Sequence, residues 1–120
     1  MAIICSDYKK SKSFYVDTLG LKVQNETYRE ERQSYKLDLT LNGDYIIELF
    51  SFPNPPQRMS RPEASGLRHL AFEVDDVAYE RQILENKGVA VEPIRVDAFT
   101  QKKFAFFADP DGLPIELYEK

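Results

Sequence analysis

The chain has 120 residues, 42% of them apolar and 30% charged, and a formal net charge of −4. This is the composition of an ordinary globular protein with a core of its own, and the acidic balance with no Lys/Arg-rich block argues against nucleic acid as a partner. Cys5 is the single cysteine, which excludes an internal disulfide and points to a reducing cytoplasm. The short apolar start has neither a cleavage site nor the length of a membrane span.

Residues 2–5 are apolar and read as a short strand, after which Ser6 and Asp7 offer a side-chain oxygen to cap a helix. From 8 to 19, Tyr8, Ser11, Phe14, Tyr15 and Leu19 fall on roughly one face while the lysines lie elsewhere. That is an amphipathic helix, and Gly20 supplies its left-handed stop. Strands are expected over 21–27 and 34–41, with a charged, exposed exit at 28–32. The second alternates, placing Tyr35, Leu37, Leu39 and Leu41 on one face and Lys36, Asp38 and Thr40 on the other. Asn42-Gly43 is a hairpin turn, and 44–52 is a further strand that sets Glu48 among Ile46, Ile47, Leu49 and Phe50. An ionised carboxylate buried there without a partner costs on the order of several kcal/mol. This segment alone leaves open a Glu48 that simply faces solvent.

Residues 53–65 carry four prolines and little apolar content, the mark of a semi-rigid linker. Beyond it the order repeats. A strand over 67–74 contains the only histidine, His69, on one face with Leu67, Ala71 and Glu73. Asp75 and Asp76 are capping candidates for a helix over 77–87 that Gly88 stops. Strands at 89–96 and 102–107, the turn Asp109-Pro110-Asp111-Gly112 and a last strand at 113–118 holding Glu116 complete the chain. The reading is therefore an α+β protein of two βαβββ modules, 1–52 and 66–120, joined by the linker 53–65 into a single domain over 1–120.

The repeat has a constant spacing. Ile47-Glu48-Leu49-Phe50 matches Ile115-Glu116-Leu117-Tyr118 at 68 residues, and Leu19-Gly20-Leu21 matches Lys87-Gly88-Val89 at the same distance. Two carboxylates thus occupy equivalent places in apolar strands, a metal-site signal that neither gives alone. A lone strand histidine is ordinarily a hydrogen-bonded structural residue, but His69 gains weight from this pairing. It stands seven residues before Asp76, and its counterpart, seven before Asp7, falls immediately before Met1. The expectation is that the chain starts late or that the site has one ligand fewer.

Ser13-Phe14-Tyr15 leading to Leu19-Gly20-Leu21, then Gly66-Leu67-Arg68-His69-Leu70-Ala71-Phe72, and finally Asp109-Pro110-Asp111-Gly112-Leu113-Pro114-Ile115-Glu116-Leu117 carry a family resemblance. The chain resembles the vicinal oxygen chelate superfamily of glyoxalase I, the fosfomycin and bleomycin resistance proteins and the extradiol dioxygenases. It looks closest to the small bacterial glyoxalase-like proteins of the YaeR type. The resemblance covers essentially the whole chain and implies a cupped eight-stranded mixed sheet with helices on its outer face. It places metal ligands on Glu48, His69 and Glu116, with a first-strand histidine as the fourth.

What the resemblance implies in function is a metal-dependent, glyoxalase-like lyase or isomerase acting on a small vicinal-oxygen substrate, as lactoylglutathione lyase does. Imidazole with carboxylates and no thiolate suits one divalent Ni, Co, Zn, Mn or Fe ion. Glu116 or Glu48 would be the catalytic base that moves a proton between adjacent carbons. Arg68 stands where glutathione-dependent glyoxalases carry a small residue or histidine, which points away from glutathione conjugates. The alternatives are a resistance-type transferase or drug binder and, further off, an extradiol dioxygenase. A homodimer in the cytoplasm, with a small-molecule substrate and no nucleic-acid or membrane partner, completes the expectation. Asp38, Arg95, Lys102 and Lys103 are candidates for holding an anionic substrate, against exposed strand charges as the plainer reading. Phe104, Phe106 and Phe107 read as core or pocket wall.

Overall fold

The computed structural model describes residues 1–120 as two compact units, Met1–Gln57 and Arg58–Lys120. In the first, β1 (Ala2–Cys5), β2 (Lys22–Arg29), β3 (Ser34–Leu41) and β4 (Asp44–Ser51) form a mixed sheet in the order β1-β4-β3-β2. β1 runs parallel to β4 and the other pairs are antiparallel. Asp7, rather than Ser6, caps helix α1 (Tyr8–Ser13), its carboxylate accepting the Lys10 N–H at 3.1 Å. The helix then widens into a π-helical turn, Phe14–Thr18, that buries Tyr15 completely, and Gly20 leaves it at φ +81°. Tyr8 stacks on Tyr35 at 4.3 Å between ring centres, which marks the odd-numbered face of β3 as the helix side. Leu37, Leu39, Ile47 and Leu49 bury themselves there, as the alternation requires.

β2 starts one residue later than predicted and runs through Tyr28 and Arg29, part of the stretch expected to be an exit. A short 3₁₀ turn, Glu30–Arg32, follows it. A bulge between Leu39 and Thr40 sets Tyr45 opposite Thr40 while Glu48 stays opposite Asp38. Both therefore come to the same face of the sheet although they are three residues apart.

The second unit repeats the topology. β5 (Leu70–Val74), β6 (Arg95–Val96), β7 (Lys103–Ala108) and β8 (Pro114–Glu119) are ordered β5-β8-β7-β6, again with only the first pair parallel. Helix α2 (Val77–Asn86) is capped by Asp76, whose carboxylate accepts the Tyr79 N–H at 3.0 Å. It ends in a Schellman turn, Val89 N–H to Leu84 O and Gly88 N–H to Glu85 O, both 3.0 Å, with Gly88 at φ +87°. α2 packs on β7 and β8, where Ala105, Phe107, Ile115 and Leu117 are buried with Val77 and Leu84.

Two expectations need correction here. The strand expected over 89–96 survives only as the two residues of β6, because Pro93 has no N–H to donate to a ladder. One ladder-like bond remains, Glu92 N–H to Phe106 O at 2.9 Å. His69 stands one residue ahead of β5 rather than inside it. Of the stretch 53–65, residues 53–57 fall in the first unit and 58–65 in the second.

Candidate functional site

Glu116 lies in the middle of β8, flanked by Ala71 of β5 and Phe106 of β7. Its neighbours Ile115 and Leu117 point into the core under α2, so strand alternation turns the carboxylate to the other face. There His69 Nε2 lies 3.8 Å from Glu116 Oε1, the His69 side chain 32% exposed and that of Glu116 15%. The imidazole meets the Phe106 ring edge-on at 5.2 Å. Phe106 in turn packs edge-on against Phe104, and the Arg95 guanidinium lies over both rings, 4.9 Å from the centre of Phe104 and 5.8 Å from that of Phe106.

His69 is held by its backbone although it is outside a strand. The Arg58 guanidinium donates to the carbonyls of Leu67 and Arg68 at 2.5 and 3.0 Å and to Ser60 Oγ at 2.8 Å. Ser60 Oγ donates to the Gly112 carbonyl at 3.2 Å, tying this approach to the β7–β8 turn. That turn is built on Asp109, buried, whose Oδ1 accepts the N–H of Asp111 and of Leu113, each at 2.9 Å. A cleft of about 910 Å³ opens beside His69 and Phe106, and Arg58, Arg61, Arg68 and Arg95 line it. Lys102 and Lys103 do not reach it.

In the first unit Glu48 occupies the equivalent slot on β4, between Ala2 of β1 and Asp38 of β3. Lys36 Nζ sits 2.9 Å from Asp38 and 3.8 Å from Glu48. Tyr45 donates its hydroxyl to Asp38 at 2.9 Å. Burial of Asp38 opposes its ionisation, but the Lys36 and Tyr45 hydrogen bonds outweigh it and hold the carboxyl below the usual carboxylate range. Burial, the hydrogen bond to Asp38 and the charges of Asp38 and Glu48 push the Tyr45 phenol well up.

Two of the three expected metal ligands, His69 and Glu116, thus come together within the second unit, and Glu48 belongs to the first. Within the second unit no third His, Cys, Asp or Glu joins the pair. One imidazole nitrogen and one carboxylate oxygen, both reachable from solvent, fit a borderline divalent ion in donor chemistry. Sequence reasoning missed the Lys36–Asp38–Tyr45 cluster around Glu48, which depends on strand register, and the arginines of 58–68. The available signal for the latter was three arginines in the eleven residues before the histidine.

A family model described as the Glyoxalase/Bleomycin resistance protein/Dioxygenase superfamily matches residues 1–117. The uncharacterized protein YwkD of Bacillus subtilis is 65% identical over 120 residues, covering 100% of this chain and 94% of its own. The uncharacterized protein YaeR of Escherichia coli is 62% identical, covering 100% and 93%. Among solved structures, SMU.1112c superposes with a TM-score of 0.94 at 50% identity, over 99% of this chain and 95% of that one. TnmS3, an antibiotic binding protein from Streptomyces sp. CB03234, superposes at 0.73 with 29% identity, over 99% and 91%. A glyoxalase I mutant from Zea mays shares the fold at 0.83 with 20% identity, this chain spanning 43% of it.

Proposed function

Since the chain belongs to the glyoxalase/bleomycin resistance protein/dioxygenase superfamily, we propose that it is a metal-dependent, glyoxalase-like lyase or isomerase for a small substrate with two neighbouring oxygens. The observation that carries this reading is the pairing of His69 Nε2 with Glu116 Oε1 at 3.8 Å on the sheet face away from α2. Glu48, His69 and Glu116 are the proposed ligands, of which His69 and Glu116 lie together within the second unit. One divalent ion of the Ni, Co, Zn, Mn or Fe group fits these donors. When bound, such an ion supplies Lewis-acid stabilisation to negative charge developing on the two oxygens.

The chain's own residues do the rest. Glu116 takes a proton from one carbon and returns it to its neighbour, with Glu48 as the alternative base. The Phe106 ring packs edge-on against the imidazole, and Phe106 lies opposite Glu116 in the strand register. The reading carries with it a homodimer in the cytoplasm; no helix is long and apolar enough to cross a membrane.

Elemental analysis of the purified protein tests the reading. Stoichiometric Ni, Co, Zn, Mn or Fe is expected, and Glu116→Ala and His69→Ala are each expected to weaken metal affinity by more than the roughly tenfold that loss of an outer-shell partner costs. Metal-dependent conversion of a 2-oxoaldehyde thiohemiacetal to the 2-hydroxythioester is the accompanying activity assay. No metal in the parent protein, after loading with each ion, refutes the enzyme. The second reading, a drug-binding protein, is supported by the likeness to TnmS3 and by a cleft of about 910 Å³ beside a His69–Glu116 pair that no third ligand-type side chain joins. It requires ligand affinity that survives metal stripping.

A further inference from the structure

We propose that the second unit selects an oxyanion, a carboxylate or phosphoryl group, and that Arg95, seated on Phe104 and Phe106, receives it. The proposal adds a substrate class to the function above but rests on charge and geometry that need no metal. The cleft is lined by Arg58, Arg61, Arg68 and Arg95 against Glu63 and Glu92, a positive excess in a chain whose net charge is −4. A cleft whose lining carries a net positive charge concentrates anionic ligands.

The four arginines are not equivalent. Arg58 is occupied with Ser60 Oγ and two backbone carbonyls. Arg61 and Arg68 share the carboxylate of Glu63, at 3.0 and 3.5 Å. Arg95 has neither a carboxylate nor a carbonyl partner, and its contacts are the two phenylalanine rings. A guanidinium lying over an aromatic face is positioned without spending its N–H groups, which stay free for bidentate bonding to an oxyanion. Phe106 touches both Arg95 and His69. An anion on Arg95 therefore lies on the same side of the sheet as the His69–Glu116 pair, where the rest of a small substrate would extend.

Metal-stripped protein is titrated with benzoate, phenylphosphonate and the neutral isostere benzamide, followed by saturation-transfer NMR and by calorimetry. Stripping keeps the outcome separate from that of the metal analysis. At least one anion is expected to bind about tenfold or more tighter than benzamide, the scale of one charge-assisted pair. Which anion binds better distinguishes a carboxylate from a phosphoryl group. Arg95→Met, which keeps apolar cover on the rings, is expected to abolish the preference, while Arg95→Lys keeps part of it. Arg32→Ala, in the 3₁₀ turn of the first unit and outside the cleft, is expected to leave it intact. Equal binding of anions and benzamide, binding of none of the three, or a preference that survives Arg95→Met overturns the proposal. Circular dichroism of Arg95→Met checks that the variant is folded.

Discussion

Asp38→Asn is the substitution from which the structure yields a magnitude and a pH dependence together. The Asp38 side chain is only 12% exposed, with Lys36 Nζ and Tyr45 Oη both at 2.9 Å from Oδ1. A hydrogen bond to a charged group contributes roughly 1.5–3 kcal/mol, but the Lys36 side chain is 33% exposed and water screens its share. Asparagine keeps a neutral acceptor for Tyr45, so the expected loss at pH 7 is about 1–2 kcal/mol. The sign with pH follows from the depressed carboxyl of Asp38. Its contribution is complete above the ordinary aspartate value of about 4 and disappears as pH falls through the lower folded value. The gap between parent and variant should therefore be constant through neutral pH and close on acidification. Urea unfolding followed by far-UV circular dichroism suits a chain without tryptophan, with equal m-values for the two proteins as the condition for comparison. A Lys36→Met cycle isolates the ion pair at about 1 kcal/mol. Equal stability at pH 7, or a gap that stays unchanged into acid, would refute the assignment of Asp38 as the acceptor that stabilises this face.

Asp109→Ala removes the acceptor of the Asp111 and Leu113 amides, and Leu113 is buried. The expected cost is about 2 kcal/mol, or a Tm lower by about 8 °C, read by thermal unfolding. Asp76→Ala removes the cap of α2 and is expected to cost about 1 kcal/mol in urea unfolding, with Asp76→Asn restoring most of it.

The duplication was legible because it is written in local chemistry. A capping aspartate, a helix-stopping glycine and an Ile-Glu-Leu strand recur at nearly constant spacing, and each half folds into the same strand order. Even the buried face of β3 could be read from alternation, since Leu37 and Leu39 are fully buried on the side where Tyr35 meets Tyr8. What the sequence hid depends on contacts between strands or on backbone hydrogen bonding. His69 looks like a strand residue in an apolar run, but the ladder to β8 begins only at Leu70. Residues 89–94 have strand composition, yet Pro93 interrupts the donor row. Asp38 reads as a polar-face residue and is one, but that face becomes a shielded cluster only because a bulge brings Tyr45 beside it.

The two equivalent glutamates end in opposite surroundings, and this bears on how the proposed labour divides between them. The backbone slot opposite Glu48 holds Asp38, and the slot opposite Glu116 holds Phe106, at the same spacing of 68 residues. Asp38 draws Lys36 to within 3.8 Å of Glu48, whose side chain is 34% exposed; Glu116 has a ring and an imidazole beside it and is 15% exposed. A cation arriving at Glu48 meets Lys36 and water as competitors, whereas at Glu116 water competes less and His69 offers a second donor. On the proposed reading the His69–Glu116 pair is therefore the better holder of an ion, within its own unit, than Glu48 is within the other. Asp38 then has a role beyond stability: its bond to Lys36, 2.9 Å against 3.8 Å to Glu48, keeps the lysine from closing fully on the Glu48 carboxylate.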